Sequence, residues 1–325
     1  MPSPDVPALD VIALGELLID FVPTRGGVTL AQADTFVKAP GGAPANVAVG
    51  LARLGLKSGF MGKVGDEAFG HWLAEVLEGE GVDLGGLRFD PEARTALAFV
   101  SLTASGERDF MFYRQPSADM RHHPDEIDPG YLAAAKVLHV GSISLIAEPA
   151  RGATLKAIDL ARAQGLEVSY DPNLRMALWP DEEAAREGIL SIWERASVIK
   201  ISDAELGFLS GETSLAAARS LLHGGLALLV VTRGEDGVSY LTPRSEGEVA
   251  SVRVEAVDTT GAGDAFMAGL LAGLLEDKDA LQNTERLEAV LRRANACGAL
   301  ATTKRGAIPA LPRREELERF LASRA

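Results

Sequence analysis

Apolar positions along this chain come as short continuous runs alternating with stripes at helical spacing. Residues 10–22, DVIALGELLIDFV, are apolar nearly throughout and read as a buried strand. Residues 43–56, APANVAVGLARLGL, carry apolar side chains on a helical repeat, with Pro44 suited to the first turn. SGFMGKVG (58–65) reads as a short strand, and AFGHWLAEVLEGEG (68–81) as an amphipathic helix closed by glycine. Residues 95–114 alternate around ASGE, the pattern of a β-hairpin. KVLHVGSIS, LEVSYDPN, SVIKIS and LALLVVTRG predict further strands, with helical patterns such as GATLKAIDLARAQG and EEAAREGILSIWERA between them.

Alternation of this kind predicts an α/β fold with a mostly parallel, doubly wound sheet and helices on both faces. Two segments break the rhythm: the polar stretch after the first strand and the hairpin. They predict a small β-sheet lid from about 20–40 and 95–115, within a single domain spanning 1–325. In open α/β sheets ligands bind at the carboxyl ends of the strands. The candidate positions are therefore Asp20, Gly41 to Asn46, Asp171 to Arg175, Lys200 to Glu205, Thr232 to Gly237, and Asp258 to Asp264.

The last of these, VEAVDTTGAGDAF (254–266), reads as a strand turning into a helix. A helix starting there leaves its first amides without intrahelical partners, and glycines let an anion approach them. Asp264 falls in the first turn. An anion hole beside a carboxylate suits phosphoryl transfer, with the carboxylate accepting a proton from the attacking hydroxyl. An aspartate in a first turn also simply offsets the helix dipole, for roughly 0.3–1 kcal/mol, so the fragment alone leaves both roles open. A dinucleotide fingerprint is excluded because Phe266 stands where its third glycine belongs, and a Walker loop because its lysine is missing.

Composition narrows the classes further. The net charge of −14 disfavours nucleic acid and anionic membranes as partners. The one cysteine, Cys297, permits no intrachain disulfide; it lies in an apolar helical pattern and reads as core. No apolar run is long enough to span a membrane, and the N-terminus lacks a targeting pattern, so a cytoplasmic protein is expected. The five histidines show no metal-ligand spacing; His122 and His123, adjacent in a loop, are expected to face solvent. No nucleophile elbow of a serine hydrolase is present.

GGAPANVAVGLARLG and DTTGAGDAFMAGLL resemble the two signatures of the ribokinase-like, or PfkB, carbohydrate kinases, in the family's order, and the resemblance covers nearly the whole chain. Within the family, ERDFMFYRQPSADM and VSYDPNLR look most like fructokinases. The resemblance implies an ATP-dependent sugar kinase with Asp264 as general base and the amides of Gly261, Ala262 and Gly263 as anion hole. It implies sugar contacts from Asp20, Gly41, Gly42, Asn46, Phe110, Phe112, Arg114 and Arg175. It places Asn173, Lys200, Thr232, Gly234, Gly237 and Asn295 along the nucleotide. Magnesium would be reached from Glu205 through water, and potassium, common in the family, near Asp258 and Thr260. Ser202 departs from the pattern by standing where the family often has asparagine. Fructose is the expected acceptor and 2-keto-3-deoxygluconate the nearest rival, since Arg114 and Arg175 could also bind a carboxylate. A non-catalytic sugar-binding regulator on the same fold is the reading from another class. The family's lid edges imply a homodimer.

Overall fold

The computed structural model describes residues 8–102 and 108–324. In chain order the strands are β1 (Val11–Leu14), β2 (Leu18–Pro23), β3 (Phe36–Gly41), β4 (Ser58–Gly65), β5 (Asp83–Asp90), β6 (Leu97–Leu102), β7 (Arg108–Tyr113), β8 (Val137–Val140), β9 (Glu167–Tyr170), β10 (Val198–Ser202), β11 (Leu228–Thr232), β12 (Val238–Leu241) and β13 (Glu246–Val249). The helices are α1 (Ala43–Arg53), α2 (Ala68–Gly79), α3 (Pro129–Leu132), α4 (Ala150–Ala163), α5 (Glu182–Leu190), α6 (Asp203–Ser210), α7 (Leu215–Ser220), α8 (Ala262–Glu276), α9 (Thr284–Ala301) and α10 (Arg314–Ala322).

Nine strands form one sheet in the order β13-β12-β11-β10-β9-β8-β1-β4-β5. From β11 to β5 every pairing is parallel; β12 runs antiparallel to both its neighbours. Strand side chains alternate between two cores, as the two-residue period requires. Val11, Ala13, Val198, Leu228 and Val230 pack with α1, α8 and α9. Ile12, Leu14, Ile199, Ile201, Leu229 and Val231 pack on the other face with α4 and α5. This is the doubly wound arrangement expected from the strand–helix rhythm.

A separate four-stranded sheet has the order β3-β2-β6-β7. β3, β6 and β7 lie within the two segments that broke the rhythm, whereas β2 comes from the end of the run 10–22. The β6–β7 pairing is the antiparallel hairpin that the alternation predicts; its expected turn, ASGE, lies outside the described residues.

Three expectations need correction. The run 10–22 is not one strand: β1 belongs to the large sheet and β2 to the small one, with Gly15–Leu17 carrying the chain between them. An apolar run reports burial, and the chain is buried from Val11 through Ile19, so the break leaves no trace in hydropathy. No strand precedes the GAGD helix; residues 251–256 are irregular although their apolar residues alternate. Strand β5 was not expected, because Gly85 and Gly86 interrupt its apolar pattern.

Helix α8 is apolar on all sides because it is covered on all sides. Gly50 of α1 brings the two helices so close that a methyl group there would lie 2.7 Å from Ala268 Cβ. On the opposite side, a methyl on Gly269 would lie 2.8 Å from Cys297 Sγ and 3.0 Å from Ala294 Cα in α9. Cys297 is buried, as its apolar surroundings predicted. Among the described residues, no helix is long and apolar enough to cross a membrane.

Gly269→Ala is expected to overpack the α8–α9 contact and destabilise the fold by about 1–3 kcal/mol. Thermal unfolding monitored by circular dichroism checks this; an unchanged Tm would show that the two helices can separate freely.

Candidate active site

The start of α8 is shaped by a turn whose geometry requires glycine. Gly261 is the N-cap, at φ 77°, in the left-handed region that disfavours side chains. Asp258 braces the turn. One carboxylate oxygen accepts from the Thr260 amide at 2.9 Å and from its hydroxyl at 2.6 Å; the other accepts from the Gly306 amide at 2.9 Å. The Ala262 amide makes a long, 3.3 Å contact with Thr259 O. The amide cluster expected at Gly261, Ala262 and Gly263 thus sits at a real helix start, with the Ala262 donor partly drawn into the turn.

Asp264 lies in the first turn of α8 and is 7% exposed. Asn46 Nδ2 donates to its Oδ2 at 2.7 Å, and Asn173 Nδ2 lies 3.5 Å from its Oδ1. Burial raises the Asp264 carboxyl to about 6, with a push from Asp171, against the Asn46 hydrogen bond and the Lys200 and Arg175 charges that pull it down. Asn173 adopts a left-handed backbone, φ 47°, which asparagine tolerates better than most residues.

The Asn46 side chain is aimed by the start of α1. Gly42 is its N-cap at φ 106°, packed so tightly on Glu16 O that a methyl group would approach to 2.3 Å. Glu16, buried between β1 and β2, accepts from the Ala43 amide at 2.8 Å. Burial lifts its carboxyl to about 7. Beside this turn lies Asp20. A methyl group on Gly41 would fall 2.3 Å from Asp20 Oδ2, so only glycine lets the carboxylate lie there. Asp20 is in the middle of β2, paired with Ala39 and Ala98, and does not end the first strand as expected. Desolvation raises it to about 7; Arg175 opposes this and Asp264 adds to it. The two aspartates and Arg175 therefore feel one another across a shared space. Arg175 itself donates to Asn173 O and Leu174 O at 3.3 and 3.2 Å.

Lys200, from β10, forms a 2.7 Å ion pair with Asp171 Oδ2. Its ammonium rests on Gly263, where a methyl group would be 3.0 Å away. Burial disfavours the charge, but Asp171, Glu205 and Asp264 outweigh it and the net shift is upward. Ser202 caps α6, accepting from the Glu205 amide at 3.1 Å. Glu205 in turn accepts from the Ser202 amide and hydroxyl through Oε2, and from the Leu174 amide through Oε1 at 2.7 Å. Glu205 is thus a bracket between α6 and the Asn173–Arg175 loop, which fits contact with a cation through water rather than directly.

Among the residues expected to meet the nucleotide, Thr232 Oγ1 donates to Ile201 O at 3.3 Å at the end of β11. Gly234 and Gly237 have φ of 54° and 96°. A methyl on Gly237 would meet Val249 O at 2.1 Å. Asn295 in α9 is buried, and its Nδ2 donates to Val249 O and Ala250 O, both at 3.2 Å. Gly237 and Asn295 therefore converge on the same two residues.

Arg114, expected at the sugar, is buried: its guanidinium pairs with Asp119 at 2.7 Å and reaches Ile143 O at 3.3 Å. Phe112 packs on Leu18, Ala96 and Ala98 inside the small sheet. Phe110 stands opposite Val100 in β7, and its side chain lies outside what is described. His122 does not face solvent; it is 4% exposed, and burial drops its imidazole to about 4, while neighbouring His123 is open. Adjacent loop residues point to opposite sides, and His122 turned inward beside Lys63 and Glu126. Glu16 and Asp171 were missed as individual site residues, although a charged residue within an apolar strand run, or directly after one, is the signal that marks both.

A carboxylate held near 6 at a helix start, with a second carboxylate and two cations around it, is equipped to bind hydroxyls and remove a proton from one. Residues 8–314 match the model of the pfkB family carbohydrate kinases. The chain belongs to that family. It is 54% identical to fructokinase-2 of Solanum lycopersicum over 308 residues, covering 94% of each chain. Among solved structures it resembles fructokinase of Vibrio cholerae O395 in its fructose-, ADP- and calcium-bound form, with a TM-score of 0.86 and 38% identity over 97% of this chain and 99% of that one. It also resembles ATP-bound fructokinase of Xylella fastidiosa, with a TM-score of 0.87 and 33% identity over 97% and 98%.

Carboxyl titration by 13C NMR is expected to show Asp264 near 6 and Asp20 near 7. Asn46→Ala removes a hydrogen bond to the charged form and is expected to move Asp264 upward. Midpoints near the ordinary 4 for both groups would show that the site is open to water.

Proposed function

We propose that this protein is an ATP-dependent fructokinase, forming fructose 6-phosphate. The observation that carries the reading is Asp264: a buried carboxylate, bonded to Asn46, in the first turn of a helix whose N-terminus is glycine-lined. The names of its relatives support fructose as acceptor.

Mg-ATP, when bound, supplies the phosphoryl group. Asp264 takes the proton from the sugar hydroxyl, a poor nucleophile until that proton has an acceptor. The Gly261, Ala262 and Gly263 amides stabilise the charge that develops beside it. Asp20, Gly41, Gly42 and Asn46 orient the sugar. Asn46 Oδ1 and Asp171 Oδ1 are buried without a protein partner, which fits a site made to receive hydroxyls and a hydrated cation. Thr232, Gly234, Gly237 and Asn295 would line the nucleotide, Glu205 would hold magnesium, which offsets phosphate charge when bound, and Asp258 with Thr260 would hold a potassium ion. The small sheet acts as a lid that keeps water from competing as acceptor.

The 2-keto-3-deoxygluconate reading needs cations for a carboxylate. The pairing of Arg114 with Asp119 offsets one of the cations that this reading would use, which favours fructose. A homodimer through the lid edges is part of the proposal: β3 and β7 are the outer strands of the small sheet, and they expose Val37, Met111 and Tyr113. The buried lone cysteine fits a reducing compartment such as the cytoplasm.

ADP release measured against a panel of sugars tests the assignment. Fructose is expected to give the highest kcat/KM, by at least about tenfold, the discrimination worth roughly 1.4 kcal/mol of differential contact. A preference for 2-keto-3-deoxygluconate would transfer the protein to the rival acceptor. Sugar binding without ADP release would make it a regulator.

A further inference from the structure

Lys200 and Asp171 are both nearly inaccessible, with side chains 6% and 3% exposed. A buried ion pair is a weak source of stability, because desolvation takes back most of the attraction. Apolar residues would serve packing as well: Ile199 and Ile201, on either side of Lys200, are wholly buried in the opposite core. The pair therefore calls for a reason beyond stability.

Its placement supplies one. Lys200 points to the α8 face of the large sheet, and its ammonium lies on Gly263, the second residue of α8. Asp171, the first residue after β9, accepts from that ammonium through Oδ2, while its buried Oδ1 has no protein donor. The ammonium has three carboxylates acting on it, Asp171, Glu205 and Asp264. Without Asp171, the attraction of Asp264 would draw Lys200 onto the base itself. Ser202, at the position where asparagine was expected, cannot take over the duty of Lys200, because its amide and hydroxyl are spent on the α6 cap.

We propose that Asp171 is a positioning residue for phosphoryl transfer. It holds the Lys200 ammonium against the first turn of α8, where a fixed cation reinforces the Gly261–Gly263 amides, and keeps that cation off Asp264. The proposal rests on the kinase reading above and deepens it. Asp171 acts through Lys200. The groups acting on Asp264 are Asn46 from α1, Asp20 from β2, Asp171, Asn173 and Arg175 from the segment after β9, and Lys200 from β10.

The test compares Asp171→Asn, Lys200→Met and the double variant with the wild type, using fructose- and ATP-dependent ADP release across pH 5–9. Asp171→Asn is expected to lower kcat roughly 10- to 100-fold, the scale of losing part of an anion-stabilising array, with KM for fructose changed less than about threefold. Its acid limb should move to lower pH, because a carboxylate that pushes Asp264 up is gone and Lys200 is freed to pair with it. Lys200→Met should move the limb to higher pH. The double variant should be no slower than Lys200→Met, since Asp171 has no task without its lysine. It removes both charges together, so it serves if Asp171→Asn alone does not fold. A merely structural role would lower the active fraction equally at every pH.

Limbs that stay in place, or a double variant as slow as the product of the two single losses, would overturn the proposal. A wild type that turns over no sugar would instead bring down the kinase reading, and this proposal with it.

Discussion

A carboxylate kept from water without being neutralised is the constraint on which this structure turns. Asp264 is surrounded by protein, and burial alone would protonate it near neutral pH. A single strong ion pair would have the opposite fault, holding the charge so firmly that the group would be a poor base. The observed balance lies between these: one short hydrogen bond from Asn46, two cations acting at a distance through Lys200 and Arg175, and the opposing charges of Asp20 and Asp171. The carboxyl settles near 6, charged at neutral pH yet able to take a proton.

Much of the fold serves to keep that balance fixed. Asn46 and Asp264 sit on different helices, so their 2.7 Å contact survives only if α1 and α8 do not slide. Gly50 lets the two backbones meet, and Gly269 does the same for α8 and α9. The entrances of both helices are braced by carboxylates, the buried Glu16 on the Ala43 amide and the partly buried Asp258 on Thr260 and Gly306. Asp20 reaches the same space from the small sheet, so any motion of that sheet changes the electrostatics of the base as well as access to it.

The large sheet was legible because its strands and helices differ in period, and the small sheet because it interrupts that rhythm. Asp264 was legible because it stands with two glycines at the head of an apolar helical run, where unpaired amides and a charge must meet. What escaped has a common cause: hydropathy reports burial and says nothing of direction. Residues 11–19 are buried without a break, so the passage from one sheet to the other at Gly15–Leu17 could not be seen. Arg114 and His122 read as exposed or ligand-facing because polar residues in loops usually are, yet both turn inward, Arg114 onto the buried Asp119. Asp171 and Lys200 are separated in the chain by α5, and only the pairing of β9 with β10 brings them together.

The role of Asp264 is tested most directly by removing its ability to accept a proton while keeping its shape. In Asp264→Asn, fructose affinity measured by calorimetry should stay within a few-fold of wild type, while fructose-dependent ADP release should fall by roughly 10²–10⁴, the usual worth of a positioned general base. Turnover within tenfold of wild type, at unchanged fructose affinity, would contradict the account and leave Asp264 as a carboxylate that only steadies the start of its helix.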